Sequence, residues 1–430
     1  MPSPSAPAPF ADRLRAHAFP LTHLDPDAPL DDLEPLRAVI GEARVVAVGE
    51  HSHFITEFAH LRSRLLRFLV ERCGFTLLAF EFGFSEGLAL DAWARGEGGE
   101  EALAARLAGT IPVGVEEPLR RIRRHNRAAA RPVGFAGVDI PAAGGSLLPA
   151  LAPVADYLRR VDPEALPAVE EATRIAASFA GDSAAAAAPA WARLAPAEQD
   201  ALSAALARLL IRFRAVEPLY TERGGRDAYA TALRCLEGAC HADYTFRAMA
   251  GLFAGTGLTA DTSARDAYMA GSLLWHLERG GPGTRVVLMA HNAHILTTPV
   301  SFDGRLTGFP MGHYLRGALG ADYLALGLTS VTGHTAEMRR DEGARFGFTV
   351  EDTPLGPPEP SSVEAAFAAA GLEFGVADLR RARAGEDGAG HPEEPDRIRM
   401  QSTYLRTPVL DAFDAVLSVP AATPADLKAA

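Results

Sequence analysis

The sequence predicts an α/β fold: a mainly parallel central sheet flanked by helices, with a helical insertion or cap. Three observations carry this reading. Short apolar runs alternate with amphipathic stretches of helical spacing, the pattern of βαβ units. Several of those runs end directly on ionisable residues, as strands do at the carboxyl edge of an open α/β sheet. From about Leu147 to Leu252 the strand texture gives way to Ala, Leu, Arg and Glu, a composition that favours helix.

The first nine residues, Met1 to Pro9, are rich in proline and have neither a basic start nor a continuous apolar run, so they do not read as a secretion signal. Residues 1–20 are read as a disordered lead-in and residues 21–146 as the first part of the α/β core. Within that part, Val45 to Val48 reads as a buried strand and Ile55 to Arg72 as a helix. Thr76 to Phe80 is the next strand, Ser85 to Ala94 the next helix, and Val133 to Phe135 a strand leading into Gly137-Val138-Asp139. The basic stretch Arg120, Arg121, Arg123, Arg124, Arg127 and Arg131 reads as a solvated helix face.

Residues 147–252 are read as the helical insertion, and Ala184 to Ala188 within it as a helix fragment or hinge without a function. The core then resumes over residues 253–430, with strands at Arg285 to Met289, Tyr323 to Leu328 and Ala415 to Val419. Pro354 to Ser362 and Gly385 to Pro395 read as surface loops. The whole reads as one elaborated domain.

A chain of 430 residues, 48% hydrophobic and 22% charged, can bury a large core. Its formal charge of −12 argues against a nucleic-acid partner, because that affinity needs clustered cations. No window approaches the ~20 apolar residues that span a bilayer. The three cysteines, Cys73, Cys235 and Cys240, leave an odd thiol in any pairing and are read as reduced, which places the protein in the cytoplasm. The number of subunits is left open.

The chemistry is written at the strand ends. Val48 leads to Glu50, His51 and His53, Phe80 to Glu81, Phe135 to Asp139, and Met289 to His291 and His294. One strand-end carboxylate is usually a cap or a satisfied turn. Four strands delivering ionisable groups to one edge describe a site. A histidine flanked by carboxylates is held in one tautomer with raised basicity, so it takes a proton from water near neutral pH. A second histidine or an arginine then stabilises the oxyanion.

On the following helix, Glu57, His60 and Arg64 share a face and Arg62 lies off it. Of that face, Glu57 is the residue expected to reach the site. His51 is expected to point to solvent or to pair with Asp or Glu.

The segment Gly49-Glu50-x-x-His53-Phe54-x-x-Glu57, followed by Gly74-Phe75 and Glu81, resembles the erythromycin esterase family. The likeness continues through Gly137-Val138-Asp139, Arg265-Asp266-Ala267-Tyr268-Met269-Ala270 and His291-Asn292-Ala293-His294-Ile295. Met311-Gly312-His313-Tyr314-Leu315-Arg316 and Phe413-Asp414-Ala415-Val416 complete it. The resemblance implies a hydrolase that opens an ester or macrolactone by water attack, without a covalent serine intermediate. It makes His53 the general base, Glu50 and Glu81 the groups that orient base and water, and His291 or His294 the group that polarises the carbonyl. Glu57, Arg62, Asp139, Asn292 and Arg265 form the supporting or substrate-binding set. A small-molecule ester is the partner, and no cofactor or metal is assigned.

Rival readings use the same region. Gly83-Phe84-Ser85-Glu86-Gly87 matches the G-x-S-x-G nucleophile elbow, with Asp266 and His291 following in serine-hydrolase order. The context is poor, since Glu81 already ends the strand and no oxyanion segment precedes it, so Ser85 reads as a helix-start residue. His53, Glu57, His291 and His294, with Glu50 or Glu81, could instead bind zinc or manganese, although no H-E-x-x-H helix is present. The same cleft would also suit a biosynthetic tailoring enzyme, or a protein that binds its ligand without turnover.

Overall fold

Val45–Val48 is buried at every position, as a strand covered on both faces must be, and the sheet forms around it. The computed structural model describes residues 9–111, 114–302, 306–383 and 394–425. The strands are β1 (Ala18–Pro20), β2 (Val45–Val48), β3 (Leu77–Gly83), β4 (Gly134–Asp139), β5 (Val286–Met289), β6 (Val300–Phe302) and β7 (Leu306–Gly308). They continue with β8 (Tyr323–Arg340), β9 (Phe348–Pro354), β10 (Gly375–Asp378), β11 (Arg397–Met400), β12 (Thr403–Arg406) and β13 (Ala415–Ala422).

Among the described residues the main sheet has the order β1-β10-β13-β8-β2-β5-β3-β4, with β9 paired to β8. It is parallel from β13 to β4 and closes at one edge with antiparallel β10 and β1. The mainly parallel α/β class expected from the sequence is the one observed. Strand alternation divides the core. Val46, Val48, Phe80 and Met289 face the helix Thr56–Cys73 through Phe58, Leu61 and Leu65. Val45, Ala47 and Leu288 face the helix Ala264–Gly280 through Met269 and Leu273. A third core joins the helices Leu148–Val161, Pro196–Ala215 and Arg226–Ala254, and meets the sheet region through Phe84, Ile140 and Tyr268.

The long β8 outruns its parallel neighbours. Its register with β2 starts at Val45 and Tyr323, and the excess length, His334 to Arg340, pairs with β9 as an antiparallel arm. That arm stands beyond the carboxyl edge of the sheet, where Met338 and Phe348 form part of a cavity wall.

The structure corrects several expectations. Phe10–Ala16 is a helix and Ala18–Pro20 an edge strand, so residues 10–20 are not a disordered lead-in. Phe10 and Leu14, one helical turn apart, are buried in the core and anchor this segment despite the prolines before it. Residues 1–8 lie outside the described residues, as do residues 385–393 of the expected loop from Gly385 to Pro395. The strand expected at Thr76 to Phe80 runs to Gly83, and the one after Val133 runs to Asp139. Glu81 and Asp139 are therefore strand residues. The basic helix is not wholly solvated: Arg123 is buried, stacks on Trp93 at 4.4 Å and donates to the carbonyls of Trp93 and Gly98.

One clasp ties three strands at the carboxyl edge. The Asn292 amide, just past β5, donates to the Leu328 carbonyl at 2.8 Å and accepts the Leu328 N–H at 3.2 Å. Gly49, just past β2, makes room for it, because a Cβ there would lie 1.9 Å from the Asn292 side-chain oxygen. Asn292, expected to support substrate, is thus a buried structural bridge. Replacing it by alanine strands both Leu328 groups without partners. We expect Asn292→Ala to lose about 2–4 kcal/mol of stability, read from the midpoint of urea unfolding.

Candidate active site

Beyond β2 the chain leaves the extended conformation and turns through Gly49 to Ile55, bringing Glu50 and His53 together. Glu50 accepts His53 Nδ1–H at 2.8 Å and pairs with Arg62 Nη1 at 2.7 Å. A carboxylate offers only acceptors, so the proton of a neutral His53 sits on Nδ1 and the lone pair on Nε2. Burial alone would lower the His53 pKa. The Glu50 hydrogen bond and charge, with the charge of Glu81, outweigh it and raise the pKa above its ordinary value of 6.5. Glu50 is buried too, which opposes its ionisation, but Arg62 and His53 hold its carboxyl below the ordinary value.

The end of β5 supplies two histidines in different states. His291 donates through Nε2–H to the His51 carbonyl at 3.0 Å and accepts the Ala293 N–H on Nδ1 at 3.1 Å. Burial and the neighbouring His53 depress its pKa to about 4, so it is neutral. Its ring meets that of His53 edge-on, with centroids 5.3 Å apart. His294 pairs with Asp266 at 2.7 Å and with Glu81 at 3.4 Å. Burial opposes its charge, but those two carboxylates raise the pKa to about 10, and it is an imidazolium at neutral pH.

Glu81 gathers these groups. It accepts the His291 backbone N–H at 2.8 Å and Arg265 Nη2 at 3.3 Å, besides the His294 contact. Its burial is outweighed by the positive charges of His294, His53 and Arg265, which keep its carboxyl well below the ordinary range. Arg265 makes a two-point ion pair with the fully buried Asp139, from Nε at 2.9 Å and Nη2 at 2.5 Å.

His53, Glu81, Asp139 and Arg265 line a cavity of about 240 Å³ together with Phe54, Phe82 and Glu86. Met338, Phe348 and Ser183 to Ala185 complete its walls. Glu50, His291 and His294 stand outside this lining. The structure thus brings together eight of the expected residues: Glu50, His53, Arg62, Glu81, Asp139, Arg265, His291 and His294.

Glu57 does not join them. Its carboxylate accepts the Thr423 N–H at 2.7 Å and anchors the segment after β13. Thr56 N–H bonds the Thr423 carbonyl at 2.9 Å, Ile55 bridges Pro424, and Ala425 N–H bonds the Phe54 carbonyl at 2.7 Å. This clip holds Phe54 at φ +61°, a left-handed conformation that costs energy for a bulky side chain. Arg62, expected to lie off the useful face, reaches Glu50 because it belongs to the buried stripe of Phe58, Leu61, Leu65 and Leu66.

His51 is neither solvated nor paired with a carboxylate. It is fully buried, 2.9 Å from the Ser330 hydroxyl, and burial lowers its pKa to about 3. The alternation expected of an extended chain stops at Val48, where the turn begins. Ser85 sits in the first turn of the helix Phe84–Ala94 and donates to Glu86 at 2.8 Å. Asp266 bonds His294, so no Ser-His-Asp constellation forms around Ser85. Among the described residues no group of three or more His, Cys, Asp or Glu is arranged to hold a metal ion.

Asp266, which holds His294, and Phe54 and Glu86, which line the cavity, were not expected in the supporting set. Asp266 had a signal, since it follows Arg265 in one motif and both begin the same helix.

Comparison with known proteins places the chain beside one group of hydrolases. The erythromycin esterase family pattern matches residues 70–422. Erythromycin esterase type II of Escherichia coli is 39% identical over 406 residues, covering 93% of this chain and 94% of the relative. Erythromycin esterase type I of Escherichia coli is 32% identical over 397 residues, covering 91% and 94%. A solved structure of a mutant of the erythromycin esterase EreC, in its open conformation, superposes with a TM-score of 0.86 at 29% identity, covering 95% of this chain and 98% of that one. Agreement of this extent, in sequence and in fold, means that the chain belongs to the erythromycin esterase family.

Proposed function

We propose that this protein is a carboxylic ester hydrolase that opens a macrolactone of the erythromycin class with water activated by His53. The observation that carries the reading is the His53–Glu50 pair at the cavity wall. It leaves one basic nitrogen, Nε2, and a carboxylate behind the ring to stabilise the imidazolium as it forms. The relatives named as erythromycin esterases support the substrate class.

Water bound between His53 and Glu81 gives a proton to Nε2 and its oxygen adds to the ester carbonyl. The Arg265 guanidinium lines the same cavity and receives the developing oxyanion, a contribution of order 10²–10³ in rate for a well-placed donor. His291 and His294 act from behind. Their ring nitrogens are engaged by protein groups, so carbonyl polarisation passes to Arg265, while the two histidines fix Glu81 through a backbone N–H and a positive charge. When the tetrahedral intermediate collapses, the His53 imidazolium returns its proton to the leaving alkoxide. The products are a carboxylic acid and an alcohol on one opened chain, with the elements of one water added.

The free cysteines support a cytoplasmic setting. Among the described residues no helix is long and apolar enough to cross a membrane. The charge of −12 favours a small-molecule partner over nucleic acid.

Mass spectrometry of a macrolactone incubated with the protein in ¹⁸O-water tests the reaction, with a gain of one labelled water expected in the product. His53→Ala should lower kcat by about 10²–10⁴, and Ser85→Ala should retain most activity. Retained turnover in the first variant would remove the base, and loss confined to the second would reinstate the serine nucleophile.

The pH profile checks the pair. The base must be unprotonated, so kcat/KM falls as pH drops through the raised His53 pKa. Glu50→Gln removes the charge that raises it and should move this acidic limb to lower pH while reducing the maximum rate. A limb that stays in place or moves upward contradicts the assignment.

A further inference from the structure

A second cavity, of about 640 Å³, lies beside the first. The two share Phe54, Gly109, Thr110, Ile111 and Phe348 as walls. The catalytic cavity alone, at about 240 Å³, is smaller than the ~300–1,000 Å³ of ordinary small-molecule sites. It has room for a scissile ester and a few flanking atoms, and a macrocycle must extend beyond it. The shared walls set the direction.

The second cavity has a defined chemistry. Leu107, Val115, Phe346 and Val350 contribute apolar surface, and its two charged residues already have partners. Glu116 pairs with Arg120 at 2.8 Å and Arg345 with Asp182 at 2.6 Å. Neither ion is left to demand a counter-charge from a ligand, so the space suits a bulky, uncharged, largely aliphatic group. The boundary is built from the clip: Phe54 lines both cavities and Ala425, bonded to its carbonyl, lines the second. A residue held at φ +61° by two backbone hydrogen bonds, the Thr423 N–H bond to the Glu57 carboxylate and a bridge is a fixed partition.

We infer that the second cavity is the subsite for the apolar bulk of the substrate beyond the scissile ester, with Phe54 the residue that divides it from the reacting centre. The inference rests on the assignment of His53 as the hydrolytic base, and it makes ester size the basis of specificity. Small esters need the first cavity alone.

Two variants test this. Ala104 and Ala108 line the second cavity only, and Ala104 is exposed on the helix Glu100–Leu107, so Ala104→Trp fills space without entering the core. With Ala104→Trp and Ala108→Phe, the Kd for erythromycin is measured by calorimetry and kcat/KM for erythromycin and for 4-nitrophenyl acetate by turnover. Kd and kcat/KM for erythromycin should worsen about tenfold, with the small ester unchanged within about twofold. An unchanged erythromycin Kd in both variants overturns the subsite, and so does equal loss on both esters. Wild-type binding without turnover, with weakened Kd in the variants, would sink the hydrolytic assignment and leave the subsite standing.

Discussion

The site depends on one buried carboxylate, Glu50, held between the Arg62 guanidinium and the His53 imidazole. An unpaired charge in that position would face a desolvation cost of several kcal/mol. The Arg62 charge and the His53 Nδ1–H hydrogen bond offset it, and the same contacts orient the imidazole. The wider network follows one balance. Glu50, Glu81, Asp139 and Asp266 face the fixed cations Arg62, Arg265 and His294. Those carboxylates exceed those cations by one. Protonation of His53 completes the pairing, so the field of the site favours its imidazolium. Without Glu50, His53 would keep its burial and lose the group that makes it basic.

Much of this was legible because the active edge is assembled by short apolar strands that stop at chemistry. Glu50, Glu81, Asp139 and His291 could be placed at one edge from the ends of β2, β3, β4 and β5. Their adjacency also needed the order β2-β5-β3-β4, which no local pattern contains. Arg62 was expected among the supporting residues, but its face was misplaced, because the spacing grouped polar residues with one another. The buried stripe on that helix is apolar apart from Arg62, Ser63 and Arg64, and an arginine interrupting such a stripe needs a buried acceptor. Arg64 finds its own in Asp32 and the His23 carbonyl. Glu57 was misjudged for a different reason: its partner, Thr423, is 366 positions away, and a backbone N–H leaves no trace in a sequence.

Long-range closure also explains the alanine run. Ala184 to Ala188 carried no functional reading as a low-complexity segment, yet Ala184 and Ala185 form part of the cavity wall. The β8–β9 arm presses on them. Gly347 sits at φ +70°, and a Cβ there would lie 2.5 Å from the Ala185 backbone. The contact is fixed by the Ser183 hydroxyl, which donates to the Phe346 carbonyl at 2.6 Å, and by the Arg345–Asp182 pair. Small side chains here are what two elements require when their backbones meet over a site.

The motif His291-Asn292-Ala293-His294 shows why residue type alone does not assign a role. Its two histidines, three positions apart on one helical turn, have pKa values of about 4 and about 10. Both are buried, so burial does not separate them. Their partners do. His291 meets backbone groups, which satisfy a neutral ring, whereas His294 meets two carboxylates, which hold a charged one. Between them Asn292 locks the turn to β8, so neither ring can shift without disturbing the sheet edge. The pair therefore gives Glu81 one neutral and one cationic neighbour, and of the three histidines His53 is the one that lines the cavity.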